Sequence, residues 1–376
     1  MGRSTTAAAV IAVLLSTGAA ARADEAPPSG DFALVGATVE TGAGPSIPDA
    51  VVLVAKGRIE AVGPRADVQV PKGVPQVDAT GRVVTPAFVH VASRLGVRGN
   101  GGGNENAVSP ARTAADDLNP WLDENRWAAA AGFATLGILP GQGIVGGRGV
   151  AVRAGAADVE SMMRRDDAFL RVDVVQGSRF TAALAGQLSI ARKDLDGLAK
   201  WEREHAEWET QKAAAEKEKK PPPAEPKKPD LPDARKPYHQ VLRGETALLC
   251  FVGSTADIVS LGEALGDEAV RGEHLRLYCV ISGDAFRGAP ELLNMGAVCV
   301  VRAALGRWPN TEDTICPAVY LRNAGLDVVL LPRDEARSAL ESYRIDLATL
   351  VGAGFPREAV FSAACAGPAR VLSLAE

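Results

Sequence analysis

The stretch "VVTPAFVHVASRLGV", Val83–Val97, decides how the chain is read. Its first half is apolar and β-branched, the pattern of a buried strand. It turns polar at Ser93 and Arg94, where a loop should leave the strand's C-terminal tip. Barrel proteins present their chemistry at such tips. One histidine, His90, lies within the strand, and Arg94 follows four residues later. The stretch is therefore a metal site, the outline of one, or ordinary core.

Upstream, "FALVGATVETG", "AVVLVAKGRIEAVGP" and "QVDATGRVVTP" are short alternating runs separated by turn residues, including the hairpin signal Lys56-Gly57. They predict a small antiparallel β unit from about Asp31 to Val84. Downstream the pattern changes. "GFATLGILPG", "LRVDVV", "TALLCFVG", "LRLYCVISG", "GAVCVVRA" and "LDVVLLP" are apolar runs too short for helices. Helical patterns such as "TADIVSLGEALGDEAVR" and "APELLNMG" lie between several of them. That alternation predicts an α/β fold with a parallel sheet. With a β-sandwich-like preface, a β/α barrel fits better than a doubly wound sheet. "GQGIVGGRG" has the wrong spacing for a dinucleotide turn and runs into the strand-like "VAVRAG" rather than a helix.

The 376 residues suffice for one large domain or two moderate ones. A formal net charge of −5 argues against a nucleic-acid partner, which needs a basic face. Arg3 and the apolar run "AAAVIAVLLSTGAA" read as a secretory leader, with Ala21-Arg22-Ala23 as the expected cleavage triplet. Cleavage after Ala23 would place the mature chain in the periplasm or outside the cell. The leader's run is shorter than the roughly 20 residues of a membrane span, and no later segment is long and apolar enough. An oxidising compartment permits disulfides. Cys250, Cys279 and Cys299 nevertheless sit inside apolar runs and read as small core residues, which leaves Cys316 and Cys365 as bridge candidates.

From about Ala182 to Pro237 the alternation is interrupted. "LAKWEREHAEWETQKAAAEKEKK" is a charged helix with Leu198, Trp201, His205 and Trp208 along one face. "PPPAEPKKPDLPDARKP" follows, with too many prolines for helix or strand interior. The segment reads as an exposed insertion whose tryptophan stripe docks on the body; the alternative is an arm that clasps a partner subunit.

"GRIEAVGP…VDATGRVVTPAFVHVASRLGV" resembles the entry to the amidohydrolase superfamily, most of all its imidazolonepropionase-like, secreted, metal-dependent branch. The stretches "ADDLNPWLDENRWAAAAGFATLGILPGQGIVGGRGVAVR", "LRGETALLCFVGSTADI" and "AVFSAACAGPARVLSL" fit the same branch in the same order. The resemblance implies a composite domain: a β-sandwich, small and incomplete here, followed by a distorted TIM-type barrel. The implied layout is a leader at 1–23, the sandwich part at 24–84, and a barrel at 85–376 carrying the insertion at 182–237. Strands that complete the sandwich in the family do not follow "ARVLSL": either the sandwich is reduced or the gene product is shortened, and a half-built sheet would invite pairing with another chain.

The resemblance also implies chemistry: a divalent ion, zinc or another, that activates water for hydrolysis of a C–N bond, with an aspartate on the last strand as base. Position by position, the ligands are replaced. The family's D-x-H-x-H falls on His90-Val91-Ala92-Ser93-Arg94, so its two histidines become Ala92 and Arg94. Phe251 stands where a histidine belongs, and "VISG" supplies no imidazole. Arg333 takes the place of the catalytic aspartate, with Asp334 one residue on. No fourth strand with a Lys or Glu ligand is evident between Gly177 and Ala247. The remaining histidines, His205, His239 and His274, lie away from strand tips. The adjacent pairs Asp116-Asp117 and Asp166-Asp167 read as solvated turns.

These replacements predict a pseudoenzyme: an exported amidohydrolase-like protein without metal or other cofactor, acting as a binding or assembly partner of another protein or of a second copy. Two alternatives stand beside it. One is a metal-dependent hydrolase of cyclic amides or dipeptide-like substrates with an unconventional site at His90, Asp334 and Asp284. The other is capture of an anion or small ligand in the barrel mouth by Arg94 and Arg333.

Overall fold

The computed structural model describes residues 30–98, 107–174, 178–217, 221–266 and 275–374. The expected leader and His274 lie outside them. The chain divides into two units, one of residues up to Val39 with Ser46–Val84, the other of Glu40–Pro45 with the chain from Thr85.

The first unit is one five-stranded sheet. It comprises β1 (Phe32–Val39), β2 (Ile47–Ala55), β3 (Arg58–Pro64), β4 (Gln76–Asp78) and β5 (Val83–Val84). The order is β3-β2-β1-β4, with β5 also on β1. Lys56 (φ 52°) and Gly57 (φ 72°) make the β2–β3 turn. Two positive φ values are what a two-residue hairpin requires. The unit is not wholly antiparallel as expected, because β4 and β5 run parallel to β1. Ala33, Val51 and Leu53 form one small apolar cluster, and Val39, Ala50 and Val52 another.

The second unit holds the eight-stranded sheet. Its chain order is β6 (Phe88–Ser93), β7 (Phe133–Ile138), β8 (Gly147–Arg153), β9 (Met163–Asp173), β10 (Ala247–Val252), β11 (Leu277–Ile281) and β12 (Val298–Arg302). The hairpin β13 (Gly306–Arg307) and β14 (Thr314–Ile315) intervenes before β15 (Val328–Leu331). Strand neighbours follow chain order from β6 to β12 and then to β15. All pairs are parallel except those of β8, which runs antiparallel to both β7 and β9. This reversal distorts the barrel. The apolar runs alternate as period two demands. Val89, Val91, Phe169, Leu249, Val300 and Val329 fill the inside, whereas Leu136, Leu170, Cys250 and Cys299 belong to the larger outer core with the helices. All five cysteines are free thiols, which excludes the bridge considered for Cys316 and Cys365.

β6 and β15 are the ends of the sheet and are not hydrogen-bonded to each other. The segment Ser362–Val371 packs along this seam: Cys365 Sγ donates to Pro86 O at 3.7 Å, and a Cβ on Gly367 would come within 3.1 Å of Val329. Leu372 then enters the barrel, where any side chain at Gly137 would collide with it at 2.5 Å. Arg165 and Arg276 fasten this plug through Ser373, the former to its carbonyl at 3.0 Å.

The insertion contains a 40-residue helix, Ser178–Lys217. Phe180, Leu184, Leu188 and Ala191 bury its first half in the outer core. The tryptophan stripe does not dock on the barrel. Trp201 Nε1 donates to Pro226 O at 3.0 Å and Trp208 Nε1 to Pro223 O at 2.8 Å. The proline run thus folds back along the helix, its carbonyls accepting the indole N–H groups. Asp194 accepts from Arg235 at 2.7 Å and from His239 at 2.9 Å, tying the end of the run to the same helix.

Candidate site at the barrel mouth

The fourth strand of the sheet is β9, which precedes Gly177 and so lies outside the interval where the sequence reading looked for it. On its inward face Phe169, Arg171 and Asp173 follow at period two. Arg171 is buried, 4% exposed. Its Nε and one terminal nitrogen donate to Asp173 Oδ1 at 3.0 and 2.9 Å, and Nη1 donates to Pro140 O at 2.9 Å. The guanidinium carbon lies 4.7 Å from the centroid of Phe251, whose face attracts a cation. Asp173 Oδ2 accepts from Gly143 N at 2.9 Å. The loop after β7 is therefore fixed to β9. "GQGIVGGRG" serves this close packing, since a Cβ at Gly146 would lie 2.1 Å from Gly141 O and one at Gly147 2.6 Å from Arg112 O.

At the seam, Glu335 joins the two sheet ends. Its Oε1 accepts from Ser93 Oγ at 2.7 Å and from Arg94 N at 2.8 Å. His90 Nε2 lies 3.5 Å from the same oxygen. His90 Nδ1 accepts from Ala92 N at 3.3 Å, which leaves the proton of the neutral ring on Nε2, facing Glu335. Burial pulls the His90 pKa down to about 4; Glu335 opposes this and the Arg302 charge adds to it. The ring is neutral at pH 7, and lies 6.3 Å from Phe133 in the outer core.

The structure does not bring Asp334 to His90. Asp334 Oδ1 accepts from Ala336 N at 2.8 Å in the turn before helix Arg337–Gly352, and the next residue makes the approach instead. Arg333 Nη1 donates to Asp346 Oδ1 of that helix at 2.9 Å, so its charge is paired with that carboxylate. Burial holds the Asp346 carboxyl above the usual range, and the Arg333 charge opposes it. Asp284 pairs with Arg287 at 3.8 Å. Asp166 and Asp167 lie within β9 rather than in a turn, and Asp167 accepts from Arg148 at 2.6 Å. Arg94 has no side-chain partner among the described residues. Glu335, Arg171, Asp173 and Arg302 were missed; for Arg171 and Asp173, period-two alternation with Phe169 was the available signal.

A catalytic zinc usually takes three protein ligands. Among the described residues no group of three His, Cys, Asp or Glu side chains is placed to hold an ion. The positions where the resemblance expects ligands carry Ala92, Arg94 and Phe251, the strand end "VISG" supplies no imidazole, and the inward fourth-strand side chain is a guanidinium engaged with Asp173 and the Pro140 carbonyl. This donor set does not fit a divalent metal.

An amidohydrolase from Thermotoga maritima MSB8 matches with a TM-score of 0.63 at 21% identity, over 91% of this chain and 89% of that one. The chain has the amidohydrolase fold. Molinate hydrolase also matches, with a TM-score of 0.47 at 15% identity, over 92% of this chain and 85% of that one. No family model and no curated protein matches the sequence. Within the amidohydrolase fold, the strand tips that build a catalytic centre here carry an arginine–aspartate pair and a histidine–glutamate contact. Among the described residues no helix is long and apolar enough to cross a membrane.

Proposed function

We propose that the protein is an exported, non-catalytic member of the amidohydrolase fold, a binding or assembly protein rather than a metal hydrolase. One observation carries the reading: Arg171 occupies the inward face of the fourth strand, over Phe251, and its charge is neutralised by Asp173. A divalent cation beside that guanidinium would meet like charge and no free carboxylate. The enzyme alternative finds little support, because Asp334 is turned into a helix-leading turn and His90 is buried against Glu335.

Metal analysis of the purified protein tests the reading. We expect well under one zinc, manganese, iron or cobalt ion per chain, before and after incubation with the metal and gel filtration. Stoichiometric metal retained after filtration, with hydrolysis of cyclic amides or dipeptides, would overturn it.

A further inference from the structure

Outside the Arg171 and Glu335 clusters, the described strand tips also line a cleft open to solvent. A cavity of about 140 Å³ lies where β11 and β12 end, beneath the turn into β13 and the start of helix Pro317–Asn323. Ile281, Phe286, Val301, Leu305 and Pro317 give it apolar walls, and Arg302 is its charged member. Phe286 is held edge-on by Trp308 and Tyr320, each with ring centroids at 5.5 Å, so that wall is fixed in place. Leu305 is 46% exposed at the rim.

Arg302 shares with Arg94 the lack of a side-chain partner among the described residues, but of the two only Arg302 lines this cavity. Arg171 is neutralised by Asp173 and Arg333 by Asp346, whereas Arg302 is exposed and has no hydrogen-bond or ion-pair partner among the described residues. An unpaired guanidinium beside apolar walls selects for a ligand that is anionic at one end and apolar at the other. The cleft is open to solvent, so its volume of about 140 Å³ sets the size only of the part that sits against the apolar walls, about one ring or a short branched chain. Planar bidentate pairing favours a carboxylate for the charge.

We propose that this cavity binds a small carboxylate whose body is an aryl ring or a short branched alkyl group, with Arg302 holding the carboxylate. The inference rests on the reading above, that the mouth binds rather than catalyses, and it names the ligand class.

Titration calorimetry of the full chain with benzoate and isovalerate, in buffer containing EDTA, tests it. We expect saturable binding with Kd below about 1 mM. Arg302→Gln should weaken it at least tenfold, and Leu305→Asp, which sets a negative charge at the rim, should weaken it similarly. Benzyl alcohol, which keeps the ring but carries no charge, should bind at least tenfold more weakly than benzoate. Both substituted side chains are exposed, and unchanged urea midpoints would show that the variants fold. No saturation by 10 mM benzoate (about tenfold above the expected Kd), equal binding by Arg302→Gln, or equal binding of benzyl alcohol would each overturn the inference. A metal-free protein that binds neither carboxylate would sink the ligand class alone. Stoichiometric metal would instead sink the non-catalytic reading beneath it.

Discussion

Glu335 accepts a hydrogen bond from Ser93 Oγ at 2.7 Å, across 242 positions of sequence. Ser93 ends β6 and Glu335 follows β15, so one carboxylate joins the two sheet ends that backbone hydrogen bonds leave unpaired. The same oxygen takes the Arg94 N–H. Hydrogen bonds to a charged group contribute about 1.5–3 kcal/mol each, and an orphaned buried hydroxyl costs about 1–3. Glu335→Ala should therefore lower unfolding stability by about 2–4 kcal/mol. Glu335→Gln, which keeps an acceptor oxygen, should lose less than half of that. Urea denaturation of the three proteins measures both values. Equal stability of wild type and Glu335→Ala would mean that the seam is held elsewhere.

His90 makes stability depend on pH at the same seam. Its ordinary pKa is 6.5 and burial lowers it to about 4, so the native ring resists a proton that the unfolded chain accepts. Where the unfolded state binds more protons, stability rises with pH. The loss therefore begins as pH falls below the unfolded value of 6.5 and is complete below the folded value near 4. Between pH 7 and 4.5 this one group should remove about 2 kcal/mol. His90→Gln should flatten the pH dependence by that amount. Paired urea titrations at the two pH values decide it, and an unchanged pH dependence in the variant would remove His90 as the source.

Most strands were legible because burial on both faces writes short continuous runs of Val, Leu, Ile and Cys, as in "ALLCFV" and "GAVCVV". What escaped was direction and partner choice. Composition does not distinguish an antiparallel β8 from a parallel one, so the reversal went unseen, and "LRVDVV", read as a strand, was not recognised as the fourth. "PRDEA" shows why the site was misplaced by one residue. Asp334 satisfies a backbone N–H within its own turn, a role short acidic side chains often take, and this frees Glu335 to reach across the seam. Nor does periodicity reveal what covers a face. Leu198, Trp201, His205 and Trp208 mark one, but nothing in that spacing says its partner is the following proline run.

That partner yields a local prediction. The indoles of Trp201 and Trp208 are hydrogen-bonded to proline carbonyls, and Lys228 and Lys212 lie over their rings at 5.2 and 4.9 Å. These contacts stay within the insertion, so their loss should open the strap without unfolding the barrel. Trp201→Ala with Trp208→Ala should speed tryptic cleavage after Lys227 by about tenfold or more, as expected when cleavage follows the open population. The main urea transition should move by less than about 1 kcal/mol. Mass spectrometry of timed digests reads the first effect. Unaltered cleavage would mean that the strap is held by Asp194 and its partners instead.

Arg171 offers the most discriminating test, because two accounts of it predict effects of very different size. If it only fills space over Phe251, Arg171→Met should be nearly neutral, since methionine is apolar and adaptable. If it is the cation that balances Asp173, the same change leaves a mostly buried carboxylate unpaired. Breaking such a pair from one side costs about 3–5 kcal/mol, whereas removing both charges costs far less. Arg171→Met should therefore be strongly destabilising, and adding Asp173→Asn should recover more than half of the loss. Arg171→Lys should fall between them, because an ammonium cannot span Asp173 and the Pro140 carbonyl as the planar guanidinium does. A double-mutant cycle by urea denaturation gives the coupling directly. Additive losses in the cycle would show that the arginine and the aspartate do not depend on each other, and the mouth would then have no built-in cation in place of a metal.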